Sequence, residues 1–202
     1  MTRFAIMALA IAVGAAWLLN SGNARTDEQR TTFTAQPGAA QVGGDKTAGP
    51  TKATCVLVPL SGSKVHGVIH FTQMGDSVQV TGEVAGLKPG LHGFHIHQFG
   101  DLTDPKGMST GGHFNPEGMK HGGPHSDKRH VGDLGNIKAD ESGIAKINFA
   151  DKLISLHGKH SIMGRAVIVH EKEDDLKTDP TGEAGGRIGG GVIGIGKAEE
   201  KK

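Results

Sequence analysis

Short β-strand patterns separated by turn residues dominate the sequence from residue 52 onward. Residues 77–84 (SVQVTGEV) alternate polar and apolar with a period of two, as a strand with one buried face does. The run Asp140-Glu-Ser-Gly143 is typical of a hairpin turn. No segment has the apolar spacing of an amphipathic helix of about 15 residues. Strands are predicted at residues 53–58, 65–71, 77–84, 91–97, 132–139, 144–149, 166–170 and 191–195.

Two long stretches interrupt the regular spacing of these strands. They cover residues 98–131 and 171–188, and each begins directly after a histidine at a strand end. Loops of this length in a compact domain are usually functional. We therefore predict an all-β fold, an eight-stranded Greek-key β-barrel or sandwich with two long functional loops.

The N-terminus predicts export. Arg3 precedes an apolar run at residues 4–19, and Gly22-Asn23-Ala24 supplies small residues for a cut after Ala24. The run of 16 residues is shorter than the ~20 needed to cross a bilayer, so we favour a cleaved signal peptide at residues 1–24. The alternative is an uncleaved anchor that tethers the protein to a membrane through residues 4–19. Either way the protein is expected to be periplasmic, extracellular or attached to the cell envelope.

The remaining sequence divides into three parts. Residues 25–51 contain too little apolar surface to offset their ordering entropy and are predicted to be a flexible linker. Residues 52–196 form the folded domain, and residues 197–202 form a charged tail. Lys plus Arg number 22 and Asp plus Glu number 21, a formal charge of +1, which argues against a nucleic-acid ligand.

Twelve histidines and a single cysteine indicate imidazole metal chemistry rather than thiolate zinc or a disulfide framework. In a strand, residues i and i+2 point to the same face, so His95 and His97 project together. His170 ends a distant apolar strand and can reach the same face. An H-x-H pair alone is weak evidence, because a surface pair of histidines is the commoner explanation.

A second set of polar residues follows within the first long stretch. His113, His121, His130 and Asp133 suit a closed tetrahedral zinc site of three histidines and one aspartate. Such a site would tie the long loop to the barrel. The alternative is a polar loop that carries titratable groups.

Several ordered motifs extend this pattern along the chain. They are GFHIHQFGD (93–101), GHFNP (112–116), KHGGP (120–124), RHVGDLGN (129–136), VHEKEDD (169–175), GGRI (185–188) and GVIGI (191–195). With them the chain resembles the copper–zinc superoxide dismutases over residues 52–196. The resemblance implies an enzyme that converts superoxide to dioxygen and hydrogen peroxide by alternating Cu(II)/Cu(I), with a structural zinc bridged through a shared histidine.

The resemblance also implies a role for each matching residue. Asp174 would hydrogen-bond one copper histidine and one zinc histidine, His95 and His121; the alternative is a solvated acid. Arg187 would be the active-site arginine that attracts and hydrogen-bonds the superoxide anion. The implied ligands are His95, His97, His113 and His170 for copper, and His113, His121, His130 and Asp133 for zinc.

The roles of two further residues stay open. Lys177 could add to the attraction of the anion or be a solvated lysine. His125 could be an alternative zinc ligand, but we favour a loop histidine.

The sequence departs from the family in its cysteines. The family's disulfide would join position 107 to position 190, and both are glycine here. Cys55 therefore has no partner and is predicted to be a buried small apolar residue. We expect zinc to order the first long loop in place of the disulfide, and stability to depend strongly on metal. Because the family's dimers form partly through that loop, a homodimer is an open expectation.

The leading prediction is an exported superoxide dismutase. The alternative from another class is a metal-binding module without activity, such as a copper or zinc store or a chaperone-like relative. Relatives of that kind often lack part of the copper set and carry cysteine metal motifs. The complete copper set and Arg187 favour the enzyme.

Overall fold

The computed structural model describes residues 49–198, and these form an antiparallel β-barrel. Within the described residues, the only regular element other than the strands is one short 3₁₀ turn at Met108–Thr110. The predicted all-β, eight-stranded barrel is confirmed. The strands are β1 (Lys52–Pro59), β2 (His66–Met74), β3 (Ser77–Ala85), β4 (Gly90–His97), β5 (Asp133–Ala139), β6 (Ala145–Asp151), β7 (Ala166–His170) and β8 (Arg187–Ile195).

The order of the strands brings distant parts of the sequence together. Around the barrel they run β1-β2-β3-β6-β5-β4-β7-β8, and β8 closes on β1. Strand β4 therefore lies between β5 and β7, so its histidines meet residues from both long loops. His95 pairs with Asp133 of β5 on one side and with Ile168 of β7 on the other.

A single apolar core fills the barrel. Phe71, Phe94 and Ile96 are completely buried in it, and this burial is the main favourable contribution to folding. Cys55 is also completely buried, as predicted, and burial raises the pKa of its thiol to about 12. At neutral pH this thiol is protonated and unreactive.

Strand β8 begins at Arg187, four residues before the predicted start at Gly191. The prediction was wrong because glycines have weak strand propensity. Here the absence of side chains is what permits the pairing. A Cβ on Gly189 would come within 2.6 Å of Val65, and one on Gly191 within 2.3 Å of the Val56 carbonyl oxygen. The second long loop therefore covers residues 171–186, and Arg187 lies on a strand.

Within residues 49–198, no helix has the length and apolarity required to cross a membrane. The predicted signal peptide or anchor at residues 1–24 lies outside the described residues. So do most of the predicted linker and the last four residues of the predicted tail.

Candidate metal centre

Two groups of four potential metal ligands lie side by side at one end of the barrel. In each group the donor atoms lie within 4.8 Å of one another, and all the residues are buried. Strand β4, the first long loop and the ends of β5 and β7 supply them. The first group is His95, His97, His113 and His170, and the second is His113, His121, His130 and Asp133.

Hydrogen bonds fix the tautomer of three rings in the first group. Nδ1 of His97 donates to the carbonyl oxygen of Gly111 at 3.0 Å, and Nδ1 of His170 donates to that of Gly185 at 3.1 Å. Nε2 of His95 donates to Asp174 at 2.9 Å. Each ring therefore turns its other nitrogen, which carries a lone pair, toward the interior of the group.

These lone pairs face one another in a buried space. Nε2 of His97 and Nε2 of His170 are 3.4 Å apart. Nδ1 of His95 and Nε2 of His113 are buried without a hydrogen-bond partner among the described residues. Buried polar atoms normally have partners. Unpartnered lone pairs that converge in this way fit a cation between them.

His113 belongs to both groups through its two ring nitrogens. Its Nδ1 lies 2.7 Å from Oδ1 of Asp133, while its Nε2 faces the first group. Its ring centroid is 4.0 Å from that of His95. One imidazole can therefore offer a donor atom to each of two neighbouring metal ions.

The second group gathers around the carboxylate of Asp133. Nδ1 of His121 lies 3.1 Å from its Oδ2, and Nδ1 of His130 lies 3.1 Å from its Oδ1. Three imidazole nitrogens and one carboxylate form a donor set that suits tetrahedral zinc.

Asp174 joins the two groups from behind. Its Oδ2 accepts from Nε2 of His95 at 2.9 Å, and its Oδ1 accepts from Nε2 of His121 at 2.8 Å. Asn136 holds the backbone of Asp174 through two hydrogen bonds of 2.8 Å. Asp174 is 1% exposed, so the alternative of a solvated acid is wrong. Carboxylates in this position fix the tautomer and direction of metal-binding rings.

Burial keeps three imidazoles of the first group neutral. It lowers the pKa of His97 well below its usual value, that of His113 to about 4 and that of His170 to about 3. Neighbouring histidines add to the effect for all three. Neutral rings at pH 7 have lone pairs available for a metal without first losing a proton.

The carboxyl groups around the centre stay ionised. Burial alone would raise the pKa of Asp133 and Asp174, but hydrogen bonds from the histidines outweigh burial and hold both below their usual range. Burial lowers the pKa of His121, whereas its hydrogen bonds to the two carboxylates raise it to a net value of about 10. Asp133 therefore stays ionised, which favours a dication, and a metal bound at Nδ1 of His121 would have to displace a proton.

Arg187 lies beside the first group because β8 pairs it with His170. Its guanidinium donates to the carbonyl oxygen of Gly107, to Oγ1 of Thr110 at 2.9 Å and to the carbonyl oxygen of Gly111 at 2.8 Å. The side chain is about half buried, and burial lowers its pKa from the usual value. No acidic side chain is among these hydrogen-bond acceptors, so the positive charge remains available to an anion.

The remaining predicted residues lie apart from both groups. His125 and Lys177 are exposed. His92, a further histidine of β4, is buried, and its Nδ1 and Nε2 each lie 2.9 Å from a carbonyl oxygen, those of His170 and Lys88.

Sequence reasoning missed two residues that support the centre. Thr110 contacts both Arg187 and His97, and Asp179 accepts a hydrogen bond from the backbone N–H of His121 at 2.7 Å. Their only signal in the sequence is that they lie in the two long loops.

Comparison with known proteins agrees with this arrangement. The family described as copper/zinc superoxide dismutase matches residues 65–193, more than half of the chain. The chain belongs to the copper/zinc superoxide dismutase family. Members of this family normally bind copper and zinc. The four imidazoles of the first group suit copper, and the three histidines and aspartate of the second suit zinc.

The solved structure of a protein named the clock protein EA4 is similar to this superoxide dismutase family member. The two share 47% sequence identity, and the TM-score is 0.69. The match covers 75% of this chain and 99% of the other.

Proposed function

We propose that the protein is a superoxide dismutase that binds copper in the first group and zinc in the second. In the reaction, two superoxide anions and two protons give one dioxygen and one hydrogen peroxide; one anion is oxidised and the other is reduced. The observation that carries this proposal is a set of buried lone pairs that converge beside the guanidinium of Arg187. It combines a metal site with a site for a small anion.

Copper bound there would supply the one-electron exchange that the reaction requires. Arg187 would draw superoxide to the first group and orient it, since a guanidinium presents several donors in a rigid plane. Thr110 and the carbonyl oxygens of Gly107 and Gly111 hold that guanidinium in place. With zinc bound at Nδ1, His113 could hold a proton at Nε2, the atom that faces the first group.

The second group would have a structural role. Asp133 lies at the start of β5, while His113, His121 and His130 come from the first long loop. A zinc ion bound to all four would fasten this loop to the barrel. It would also help to fix the ring of His113 that both groups share.

The second candidate function is a metal-binding module without activity, since the similar solved structure is named a clock protein and not a dismutase. The position of Arg187 argues for the enzyme, because a metal store has no use for an anion site beside its copper ligands.

Two further proposals concern location and assembly. The basic residue and apolar run at residues 3–19 support export, with or without a membrane tether. The exposed apolar residues Val56, Phe99 and Val192 support a homodimer through the β1–β8 face. The pairs Cys55 with Ile193 and Val58 with Gly190 put Val56 and Val192 on adjacent stretches of β1 and β8. Gly100, the neighbour of Phe99, also lies close, because a Cβ on it would come within 3.0 Å of Val192.

The test compares the copper- and zinc-loaded full chain with His95→Ala and Arg187→Ala. We expect His95→Ala to lose copper and activity together. We expect Arg187→Ala to keep copper but to lose most of the activity. Arg187→Ala with unchanged activity would contradict the proposed role of this residue.

A further inference from the structure

The first long loop and β8 meet at Gly107 and Gly190, where the disulfide of related proteins would lie. A Cβ on Gly107 would lie 2.8 Å from Cδ1 of Leu60, and a Cβ on Gly190 would lie 2.7 Å from the same methyl. Leu60 comes from the turn after β1, far from both glycines in the sequence. Its methyl therefore occupies the space between the loop and the strand.

Leu60 belongs to a small apolar cluster outside the main core. It is 4% exposed and packs with Ala166 and Ile168 of β7, and Leu102 of the first long loop covers it. A Cβ on Gly190 would also lie 3.1 Å from Ile168 and 3.2 Å from Leu102. One side chain thus connects a turn, a loop and two strands by close packing.

Polar contacts of the same turn reinforce this connection. The N–H of Leu60 donates to the carbonyl oxygen of Ile188 at 3.0 Å, and the N–H of Ser61 donates to that of Pro105 at 2.9 Å. Oγ of Ser61 donates to the carbonyl oxygen of Arg187 at 2.8 Å. The turn therefore holds the loop on one side and the start of β8 on the other.

Gly107, which packs against Leu60, also contacts the side chain of Arg187. A Cβ on Gly107 would lie 3.6 Å from Cδ of Arg187, and the Gly107 carbonyl oxygen accepts a hydrogen bond from that guanidinium. If the methyl of Leu60 is removed, Gly107 can move into the space and take its carbonyl group with it. The guanidinium would then lose one of the groups that hold it.

We propose that Leu60 is a positioning residue for Arg187 and replaces the absent disulfide by packing between Gly107 and Gly190. Its effect on the loop is independent of catalysis. Its effect on the rate rests on the proposed superoxide dismutase activity. The two effects therefore need separate measurements.

Hydrogen exchange of backbone amides measures the effect on the loop. We compare Leu60→Ala with Leu156→Ala, since Leu156 is a leucine of the main core that is 1% exposed. In Leu60→Ala the amides of Ser61 and Thr110 should exchange about tenfold faster than in the original chain, because both lie at the loop contact. In Leu156→Ala they should not. Equal changes in both variants would overturn the proposal.

The rate measurement uses a double-mutant cycle in the metal-loaded full chain. Leu60→Ala should lower kcat/KM for superoxide, and it should have no further effect in an Arg187→Ala background, because the residue acts through Arg187. Leu60→Met, which conserves volume, should restore the rate. If Leu60→Ala lowers kcat/KM by the same factor with and without Arg187→Ala, the positioning role is contradicted. If the loaded protein has no activity, the proposed function fails, and the exchange result still decides the effect on the loop.

A disulfide in place of the leucine gives a rescue test. The Cβ positions of residues 107 and 190 are at most about 5.5 Å apart, since both lie next to one methyl, and bridged Cβ atoms need roughly 3.5–4.5 Å. Gly107→Cys with Gly190→Cys should form a disulfide in the Leu60→Ala background and restore slow exchange when oxidised. The reduced form carries the same backbone strain and is the control. Failure to restore slow exchange, or equally ready bridging with Leu60 present, would contradict the proposal.

Discussion

The backbone of Gly182 passes directly over the carboxylate of Asp174. A Cβ at this position would lie 1.7 Å from Oδ1 of Asp174 and 2.6 Å from Nε2 of His121. Gly182 also has a φ of +65°, a backbone conformation that residues other than glycine rarely adopt. The second long loop thus closes on the carboxylate that joins the two metal-binding groups, and it can do so only with glycine there.

Gly182→Ala should therefore weaken metal binding. The new methyl must displace Asp174 or His121, and loss of such supporting contacts costs about 10–100-fold in metal affinity. The measurement is the zinc and copper content after dialysis against a graded competitor. Gly158→Ala is the matched control, because Gly158 has a φ of +72° with nothing within 4 Å of its Cβ position. Equal metal loss in the two variants would show that backbone strain alone is responsible.

The metal-free protein should lose stability as the pH falls below about 6.5. Burial lowers the pKa of His113 to about 4 and that of His170 to about 3 in the folded protein, whereas both titrate near ~6.5 when unfolded. Their contribution to stability is complete above ~6.5 and is lost as the pH falls toward the folded values. His121, with a pKa of about 10, gives its stabilisation in full below ~6.5 and loses it progressively as the pH rises from there to about 10.

Urea unfolding of the metal-free protein at pH 7 and pH 5 measures this dependence. Each histidine that takes up a proton on unfolding changes the free energy of unfolding by up to ~1.4 kcal/mol per pH unit. His170→Asn should reduce the slope, and His125→Asn, at an exposed loop position, should not. Equal free energies at the two pH values would contradict the assignment of these buried neutral rings.

Removal of metal should lower the melting temperature of the full chain by on the order of 10 °C. A ligand at about 1,000 times its Kd stabilises the folded state by ~4 kcal/mol, and 1 kcal/mol is worth roughly 2–4 °C for a chain of this size. Calorimetry before and after chelation measures the change, and addition of zinc alone should restore part of it. An unchanged melting temperature would mean that protein contacts alone, such as those of Leu60, hold the first long loop.

Val192→Lys should convert a dimer to a monomer. The lysine would place a charge at the proposed contact between two copies, close to the exposed Val56 and Phe99. Light scattering of the metal-loaded protein gives the mass. Met74→Lys is the control, because Met74 is an exposed residue at the end of β2 outside this contact. A monomeric original chain, or a dimeric Val192→Lys variant, would contradict the proposed interface.

Much of the fold could be predicted from the sequence because its signals are local. The alternation in β3 and the apolar runs of β1 and β7 are visible within a few residues. The start of β8 could not be predicted, because Gly189 and Gly191 pair as strand residues only where Val65 and β1 leave no room for side chains. That condition belongs to the tertiary structure.

The candidate site, like the fold, was predictable where its signals are local and not where it depends on tertiary packing. His95 and His97 could be grouped by strand periodicity, and the family resemblance added the more distant residues. The contacts that hold the centre could not be predicted. Leu60 reaches Gly107 and Gly190, and Gly182 covers Asp174, only through packing between segments that are far apart in the chain. No spacing rule relates such residues.

The most direct test of the proposed activity is the decay of superoxide after pulse radiolysis in the presence of the copper- and zinc-loaded full chain. A dismutase gives first-order decay in proportion to protein concentration, with many turnovers per copper and a large loss of rate in Arg187→Ala. A protein that binds copper and zinc at full occupancy but leaves the spontaneous decay of superoxide unchanged would contradict it.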